Sequence, residues 1–106
     1  MVYEVVWTEK ALISYGENIE YLRRDWSEKE INNFIRLLEN KILLLSTQPY
    51  IGSPKNKKNP NVRSTVLHKR VTLIYQVSTR NKKIELILFW NTYQHPSLLK
   101  KINKQK

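Results

Sequence analysis

The chain has 106 residues, with 19 Lys or Arg against 9 Asp or Glu, two histidines and no cysteine. This length predicts one domain whose core needs no covalent staples. A sequence without cysteine excludes disulfides, thiolate metal sites and a thiol nucleophile. The N-terminus lacks the apolar stretch of a signal peptide, and no run approaches the ~20 apolar residues of a membrane span. We therefore expect a cytoplasmic protein with no membrane partner.

The charge is distributed unevenly along the chain. Residues 1–54 hold 6 Lys or Arg and 8 Asp or Glu, a net charge of −2. Residues 55–106 hold 13 Lys or Arg and one acid, Glu85, a net charge of +12. A positive field of this kind attracts nucleic acid, an acidic protein or an anionic membrane. The alternative is a basic surface that serves only solubility.

The N-terminal segment reads as a strand followed by a helix. Val2–Trp7 is strand-like, and Thr8 can cap the helix that follows it. Gly16 lies inside this helix and costs about 1 kcal/mol relative to Ala, which suggests close packing there. The apolar residues recur at steps of three and four, as expected for one buried helical stripe: Leu12, Tyr15, Ile19, Leu22 and Trp26.

A second helix begins after Ser27, because Ser27 and Glu30 have the spacing of a capping box. Pro49 ends it. The short connection between the two helices predicts an antiparallel hairpin. The apolar stripe of the second helix comprises Ile31, Phe34, Ile35, Leu38, Ile42 and Leu45.

A long loop, Thr47–Asn61, separates the helices from the rest of the chain. It contains Pro49, Gly52, Pro54 and Pro60 together with the basic residues Lys55, Lys57 and Lys58. Loops of this length within a compact domain are often functional or mobile.

Three strand-like segments follow in close succession, Val62–Leu67, Val71–Ser78 and Lys83–Asn91. The middle one alternates apolar and polar residues, which predicts one face on a core and one face outward. The last one is apolar on both faces apart from Glu85, which predicts a central strand. Pro96 then allows a short helix carrying Leu98, Leu99 and Ile102. The predicted fold is an α+β domain, with an antiparallel sheet and the helical hairpin on one face.

This order of elements resembles the RelE/ParE superfamily of toxins from bacterial type II toxin–antitoxin modules, over nearly the whole chain. The likeness is carried by VVWTEKALISYGENIEYL, by the hairpin YLRRDWSEKEINNFIRLLENKILLLSTQPYIGSP, by VTLIYQV and by LFWNTYQHPSLLKK. The long hairpin is more similar to the ParE branch. That branch is associated with inhibition of DNA gyrase, whereas RelE-type toxins are ribosome-dependent mRNA endonucleases.

Two positions depart from the pattern of the mRNA-cleaving branch. Thr72 stands where RelE-type toxins have an Arg before the LVYQV-like segment, and Tyr93 stands where many members have an Arg in the final turn. The resemblance therefore favours a ParE-like toxin that binds a macromolecular target without chemistry of its own. It leaves open a RelE-like endonuclease and a degenerate, non-toxic binding module.

The candidate working surface is the rim formed by the first turn of the three-stranded segment and the final turn. RNA cleavage through the 2′-hydroxyl needs a base, an acid and a cation for the phosphorane. If the protein is an endonuclease, His95, Arg70 and His68 are the catalytic candidates, and Trp90 or Tyr93 could stack on a base. Otherwise, His68 is a turn residue, His95 a surface residue and Trp90 part of the core. The candidates for binding the target or antitoxin are Arg63, Lys69, Arg70, Tyr93, His95 and Lys100.

The partners implied by the resemblance are an acidic cognate antitoxin and either DNA gyrase or the ribosome with its mRNA. A toxin homodimer is also compatible with it. The sequence offers no metal constellation and no phosphate-cradling Gly loop, so we expect no cofactor.

Overall fold

Two helices and five strands follow each other along the chain in the computed structural model, which describes residues 2–55, 57–68 and 71–91. The strands form one sheet in the order β1-β5-β4-β3-β2. The short helix predicted after Pro96 lies outside the described residues. The elements are β1 (Glu4–Trp7), α1 (Glu9–Arg23), α2 (Glu28–Thr47), β2 (Ser53–Pro54), β3 (Val62–His68), β4 (Val71–Ser78) and β5 (Lys83–Asn91).

Both helices begin at the predicted caps. The Thr8 hydroxyl accepts a hydrogen bond from the Ala11 amide at 3.1 Å. The Ser27 hydroxyl accepts from the Glu30 amide, and the Glu30 carboxylate accepts from the Ser27 amide, both at 3.3 Å. These bonds satisfy amides that the first turn of a helix leaves without an internal partner.

The sheet is mixed, which corrects the prediction of an antiparallel sheet in one pairing. The strands β2 to β5 pair antiparallel, but β1 pairs parallel with β5, with Glu4 opposite Lys83 and Trp7 opposite Leu86. β1 lies beside the last strand, and the helical hairpin supplies part of the long crossover that parallel neighbours need. β5 is therefore an interior strand, as its apolar sequence predicts.

The helical hairpin covers one face of the sheet, called here the inner face. Four alternating residues of β4, which were predicted to face the core, are buried there: Val71, Leu73, Tyr75 and Val77. Ala11 and Leu22 of α1 pack in the same cluster with Phe34, Leu38 and Leu45 of α2. The predicted hairpin on one face of the sheet is thus confirmed.

Three aromatic rings join β1, α1 and β5 at one side of this core. The Trp7 ring stacks on Phe89 at 5.3 Å between centroids, and Tyr15 meets both rings edge-on at 5.5 and 5.4 Å. Such contacts add to the stabilisation from buried apolar area.

The outer face of the sheet carries a second, smaller apolar cluster. Ile74, Leu88 and Trp90 are buried there, with Val62 and Ile87 packed against them. Ile74, the exception in the alternating pattern of β4, belongs to this cluster. The register of β4 against β5 shifts between Ile74 and Tyr75, so Ile87 is an extra residue in β5.

The buried face of α1 differs from the predicted stripe. Leu12 is 56% exposed, whereas Ala11, Ser14, Asn18 and Leu22 are buried. The reason is hydrogen bonding rather than hydrophobicity. β1 ends at Trp7, opposite Leu86. Beyond that point, polar side chains of α1 make the hydrogen bonds to β5 that a longer β1 would make.

Three α1-side residues complete the hydrogen bonds of β5. The Thr8 hydroxyl donates to the Leu86 carbonyl at 2.7 Å. The Ser14 hydroxyl accepts from the Phe89 amide at 3.0 Å, and the Asn18 side-chain amide donates to the Phe89 carbonyl at 2.8 Å. Asn18 also donates to the Ser14 carbonyl at 2.8 Å. The strand edge is thereby satisfied without another strand.

Within the described residues, no helix is long and apolar enough to cross a membrane.

We predict that Asn18→Ala lowers the free energy of unfolding by about 1–3 kcal/mol, because it leaves the buried Phe89 carbonyl without this donor. Urea denaturation followed by circular dichroism measures the effect. Asn40→Ala, an exposed position on α2, is the matched control and should change stability by less than about 0.5 kcal/mol. Equal stability of the two variants would contradict the role assigned to Asn18.

Gly16→Ala should stabilise the protein by about 0.5–1 kcal/mol, since a methyl group there meets nothing within 4 Å and Ala favours the helix. The expectation of close packing at Gly16 is therefore wrong. Gly52→Ala provides the opposite case, because its methyl group would lie 2.6 Å from the Tyr75 hydroxyl and 2.7 Å from the Ser64 carbonyl. In thermal denaturation, the unfolding midpoint of Gly16→Ala should lie above that of the wild type, and the midpoint of Gly52→Ala should lie below it.

Candidate functional site

Strand β3 carries the two predicted site residues that the structure describes, Arg63 and His68. Arg63 is the Cα partner of Tyr75, and His68 is the partner of Val71. Five positions separate them on a strand that rises about 3.3 Å per residue, so their Cα atoms are about 16 Å apart. The structure therefore places Arg63 near one end of β3 and His68 at the other, and does not bring the two together.

A bulge decides which way the end of β3 faces. The register of β3 against β4 shifts between Val66 and His68, which makes Leu67 an extra residue. Val66 remains exposed, whereas Leu67 is buried in the inner core. His68 lies on the same side as Leu67, because a bulge lets two successive residues oppose a single partner.

His68 packs against the corner of the helical hairpin. Its ring meets the Trp26 ring edge-on, with 4.7 Å between centroids. Trp26 also contacts Phe34 at 6.0 Å, which ties the corner to the inner core. His68 is half-buried and is therefore not a simple turn residue.

An open cleft lies beside this contact. Its volume is about 300 Å³, and its walls come from α2, from the corner and from β3. Its lining combines two aromatic rings, an imidazole, a carboxylate, an amide and a leucine side chain. These belong to Trp26, Phe34, His68, Glu30, Asn33 and Leu37.

Arg63 is engaged with the loop that follows α2. Its guanidinium donates to the Gly52 carbonyl at 2.7 Å and lies 5.0 Å from the centre of the Tyr50 ring. A charge-assisted hydrogen bond together with a cation–π contact holds the side chain in place. The described contacts of Arg63 are thus those of a residue that orders a loop.

Tyr75 fixes the same loop from inside the core. Its hydroxyl donates to the Pro49 carbonyl at 2.8 Å and accepts from the Gly52 amide at 3.0 Å. Burial raises the pKa of Tyr75, while the Gly52 amide and the Arg63 guanidinium act in the opposite direction. The hydroxyl therefore stays protonated at neutral pH and remains a donor.

Trp90 is 2% exposed and packs in the outer apolar cluster, so its place in the core is confirmed. It offers no face on which a base could stack.

The remaining predicted site residues lie outside the described residues. They are Lys69, Arg70, Tyr93, His95 and Lys100. Their assignment to the rim stays a prediction.

Sequence reasoning missed the partnership of Tyr50, Gly52 and Tyr75 with Arg63. One signal was available, since a tyrosine predicted to face the core needs a partner for its hydroxyl. The nearby Pro-Gly loop was the natural source of that partner. The edge contact of His68 with Trp26 had no comparable signal, because it depends on the bulge at Leu67.

In the described part of the chain, no group of three His, Cys, Asp or Glu side chains could hold a metal ion.

Comparison with known proteins places these features in a family. A family model described as the ParE toxin of the type II toxin–antitoxin system parDE matches residues 5–96. No curated protein matches the chain significantly.

Several solved structures share the fold. A double arginine-to-alanine mutant of the Escherichia coli toxin RelE in the free state aligns with a TM-score of 0.61 and 18% identity, over 98% of each chain. The toxin–antitoxin complex RelBE2 from Mycobacterium tuberculosis contains a chain with a TM-score of 0.58 and 13% identity, covering 86% of this chain and 99% of that one.

A third similar structure is a YoeB/ParE toxin from Agrobacterium tumefaciens, with a TM-score of 0.58 and 16% identity, over 83% of this chain and 96% of that one. At these identities the structures establish the shared fold, while the family model covers both helices and nearly all of the sheet. The chain belongs to the family of ParE toxins of type II toxin–antitoxin systems, within the RelE/ParE superfamily.

Proposed function

We propose that this toxin inhibits growth by binding DNA gyrase, without chemistry of its own, and that an acidic cognate antitoxin neutralises it. The observation that carries the choice of a binder is the placement of Arg63 and His68. Arg63 is held by Gly52 and Tyr50, and His68 packs on Trp26. Both side chains are thus engaged in contacts within the protein, which favours a surface that binds over a set of groups that act on a phosphate.

The competing function is that of a RelE-like, ribosome-dependent mRNA endonuclease. In that case His95, Arg70 and His68 would form the catalytic set at the rim. The position of His68 at the end of β3, directly before Lys69 and Arg70 in the chain, supports this alternative. A non-toxic binding module is the third candidate.

The antitoxin surface that we propose combines charge with exposed apolar side chains on the hairpin. α2 exposes Leu37 and Leu44, which are seven residues apart and therefore lie on one helical face. An acidic, extended or helical segment could cover this face and reach the basic half of the chain. The toxin–antitoxin complex RelBE2 shows that a protein of this fold assembles with an antitoxin.

The target assignment is tested with two assays on the same protein, gyrase supercoiling and primer extension on translated mRNA. We expect loss of supercoiling and no new mRNA ends. Cleaved mRNA with intact supercoiling would establish the endonuclease instead. Failure to inhibit growth on expression would leave the non-toxic module.

A substitution at His68 separates packing from acid–base chemistry. His68→Phe retains a ring against Trp26 but has no nitrogen that can transfer a proton. For a binder we expect growth inhibition to stay within about twofold of the wild type. For a nuclease, His68→Phe or His95→Ala should lower cleavage by about 100-fold or more, the scale of a general acid or base.

Charge reversal tests the rim as a binding surface. Lys69→Glu combined with Arg70→Glu should remove toxicity if the rim attracts its target electrostatically. Circular dichroism of the variant shows whether the fold is retained. A folded variant with full toxicity would place the working surface elsewhere.

The antitoxin surface is tested by Leu37→Ser combined with Leu44→Ser. Each leucine contributes up to about 1.5–3 kcal/mol when fully buried, so we expect the antitoxin affinity to fall at least tenfold. Leu12→Ser combined with Ile13→Ser removes two residues that are similarly exposed on α1 and serves as the control. Equal losses of antitoxin affinity in both variants would argue against the α2 face as the antitoxin surface.

A further inference from the structure

The sheet has a strongly basic end opposite the rim. β4 runs from Val71 to Ser78, and seven steps of about 3.3 Å per residue separate the two ends by roughly 23 Å. At the Ser78 end the chain emerges in two loops, which include residues 55, 57–61 and 79–82. The basic end comprises Lys55, Lys57, Lys58, Arg80, Lys82 and Lys83.

Hydrogen bonds fix the first loop to the sheet, and the pairing of β4 with β5 places the second loop at the same end. The Lys55 amide donates to the Val62 carbonyl at 2.8 Å where the first loop leaves β2 and returns to β3. The Val77 amide donates to the Asn61 carbonyl at 2.9 Å, which fixes the end of that loop against β4. The second loop connects β4 to β5, where Ser78 pairs with Lys83. From β3 to β5 is two strand spacings, or about 10 Å.

The composition of these loops distinguishes between kinds of partner. Residues 55–61 and 79–82 contain no acid and, apart from Pro60, no apolar residue. They supply cations together with Asn, Thr and backbone amides. Protein interfaces depend on buried aromatic or other large anchors, which neither loop contains. Contacts to a nucleic-acid backbone need cations and small polar donors instead.

The conformation of Lys82 is a second, independent observation. Its φ is 55°, and Lys82 is the only residue other than glycine with a positive φ among the described residues. Such a position favours Gly or Asn, so a lysine there carries backbone strain. The turn is held by the Glu4 amide, which donates to the Lys82 carbonyl at 2.9 Å. The Lys82 ammonium lies 5.5 Å from the centre of the Tyr3 ring, so the charge is kept at this end of the sheet.

We propose that the basic end is a binding surface for the phosphate backbone of nucleic acid, separate from the rim. The nearest acids by register are Glu4, opposite Lys83, and Glu85, so Lys57, Lys58 and Arg80 carry most of the unopposed charge. The surface binds without base specificity and anchors the toxin while the other end of β4, about 23 Å away, faces the target. This inference goes beyond the choice between gyrase and ribosome, because both targets work on nucleic acid.

The test measures binding of the purified full chain to a labelled DNA duplex of random sequence by fluorescence anisotropy, at several salt concentrations. Variant one carries Lys57→Glu, Lys58→Glu and Arg80→Glu. The control carries Lys10→Glu, Lys29→Glu and Arg36→Glu on the helices, so both variants change the net charge equally. We expect variant one to lose at least about tenfold in affinity at 100 mM salt and its salt slope to fall by about 3. The control should lose less than about threefold.

Three outcomes would overturn the proposal. Equal losses of DNA affinity in variant one and in the helix control would show that binding depends on net charge and not on this particular surface. Loss of binding in the Lys69→Glu, Arg70→Glu variant with variant one unaffected would place the contact at the rim. Competition by poly-glutamate as effective as by DNA at equal charge would indicate an acidic protein as the partner. If variant one fails to fold by circular dichroism, Lys57→Gln, Lys58→Gln and Arg80→Gln replace it, with the same expected direction.

Discussion

The structure depends on the hydrogen bonds that α1 makes along the part of β5 that β1 does not reach. β1 pairs with β5 only as far as Leu86, and beyond that point β5 would expose unpaired backbone groups. Thr8, Ser14 and Asn18 satisfy the Leu86 and Phe89 groups at 2.7 to 3.0 Å. A helix bound through its polar side chains to a strand has its position and rotation fixed. The apolar contacts of the hairpin with the inner face follow from that placement.

The same sheet sets what the two ends of the molecule can do. At the rim end, the bulge at Leu67 turns His68 toward Trp26 and the helical corner. At the other end, Tyr75 holds the loop after α2 through Pro49 and Gly52, and Arg63 adds a bond to Gly52. One β-ladder thus separates a mixed aromatic and polar cleft from a surface of cations and small polar side chains.

The fold could be predicted from the sequence wherever a single local pattern determined an element. The alternation in β4, the capping box at Ser27 and the apolar character of β5 each reflect a single local preference, and the structure agrees with them. The prediction failed at Leu12, because the buried side of α1 is chosen by hydrogen bonds from Ser14 and Asn18 rather than by apolar area. It also failed for β1, since the direction of a strand pairing depends on the whole chain path.

The candidate site was harder to predict from the sequence, because it also depends on how distant parts of the chain are arranged. The side of the sheet on which His68 lies depends on one extra residue in β3, and no residue type signals that bulge. Arg63 was predicted to be one of the residues that bind the target or antitoxin at the rim. Its contact with Gly52, eleven residues earlier, requires the loop before β3 to fold back onto this strand, which only the folded chain shows.

The parallel pairing of β1 with β5 has a consequence for synthesis on the ribosome. Glu4–Trp7 are made well before their partners at 83–86. A nascent chain therefore keeps β1 without its neighbour until the other strands of the sheet have emerged. Contacts so far apart in sequence make folding slow. Products of translation that stop before β5 lack the neighbour of β1, so the complete sheet arises only once β5 has been made.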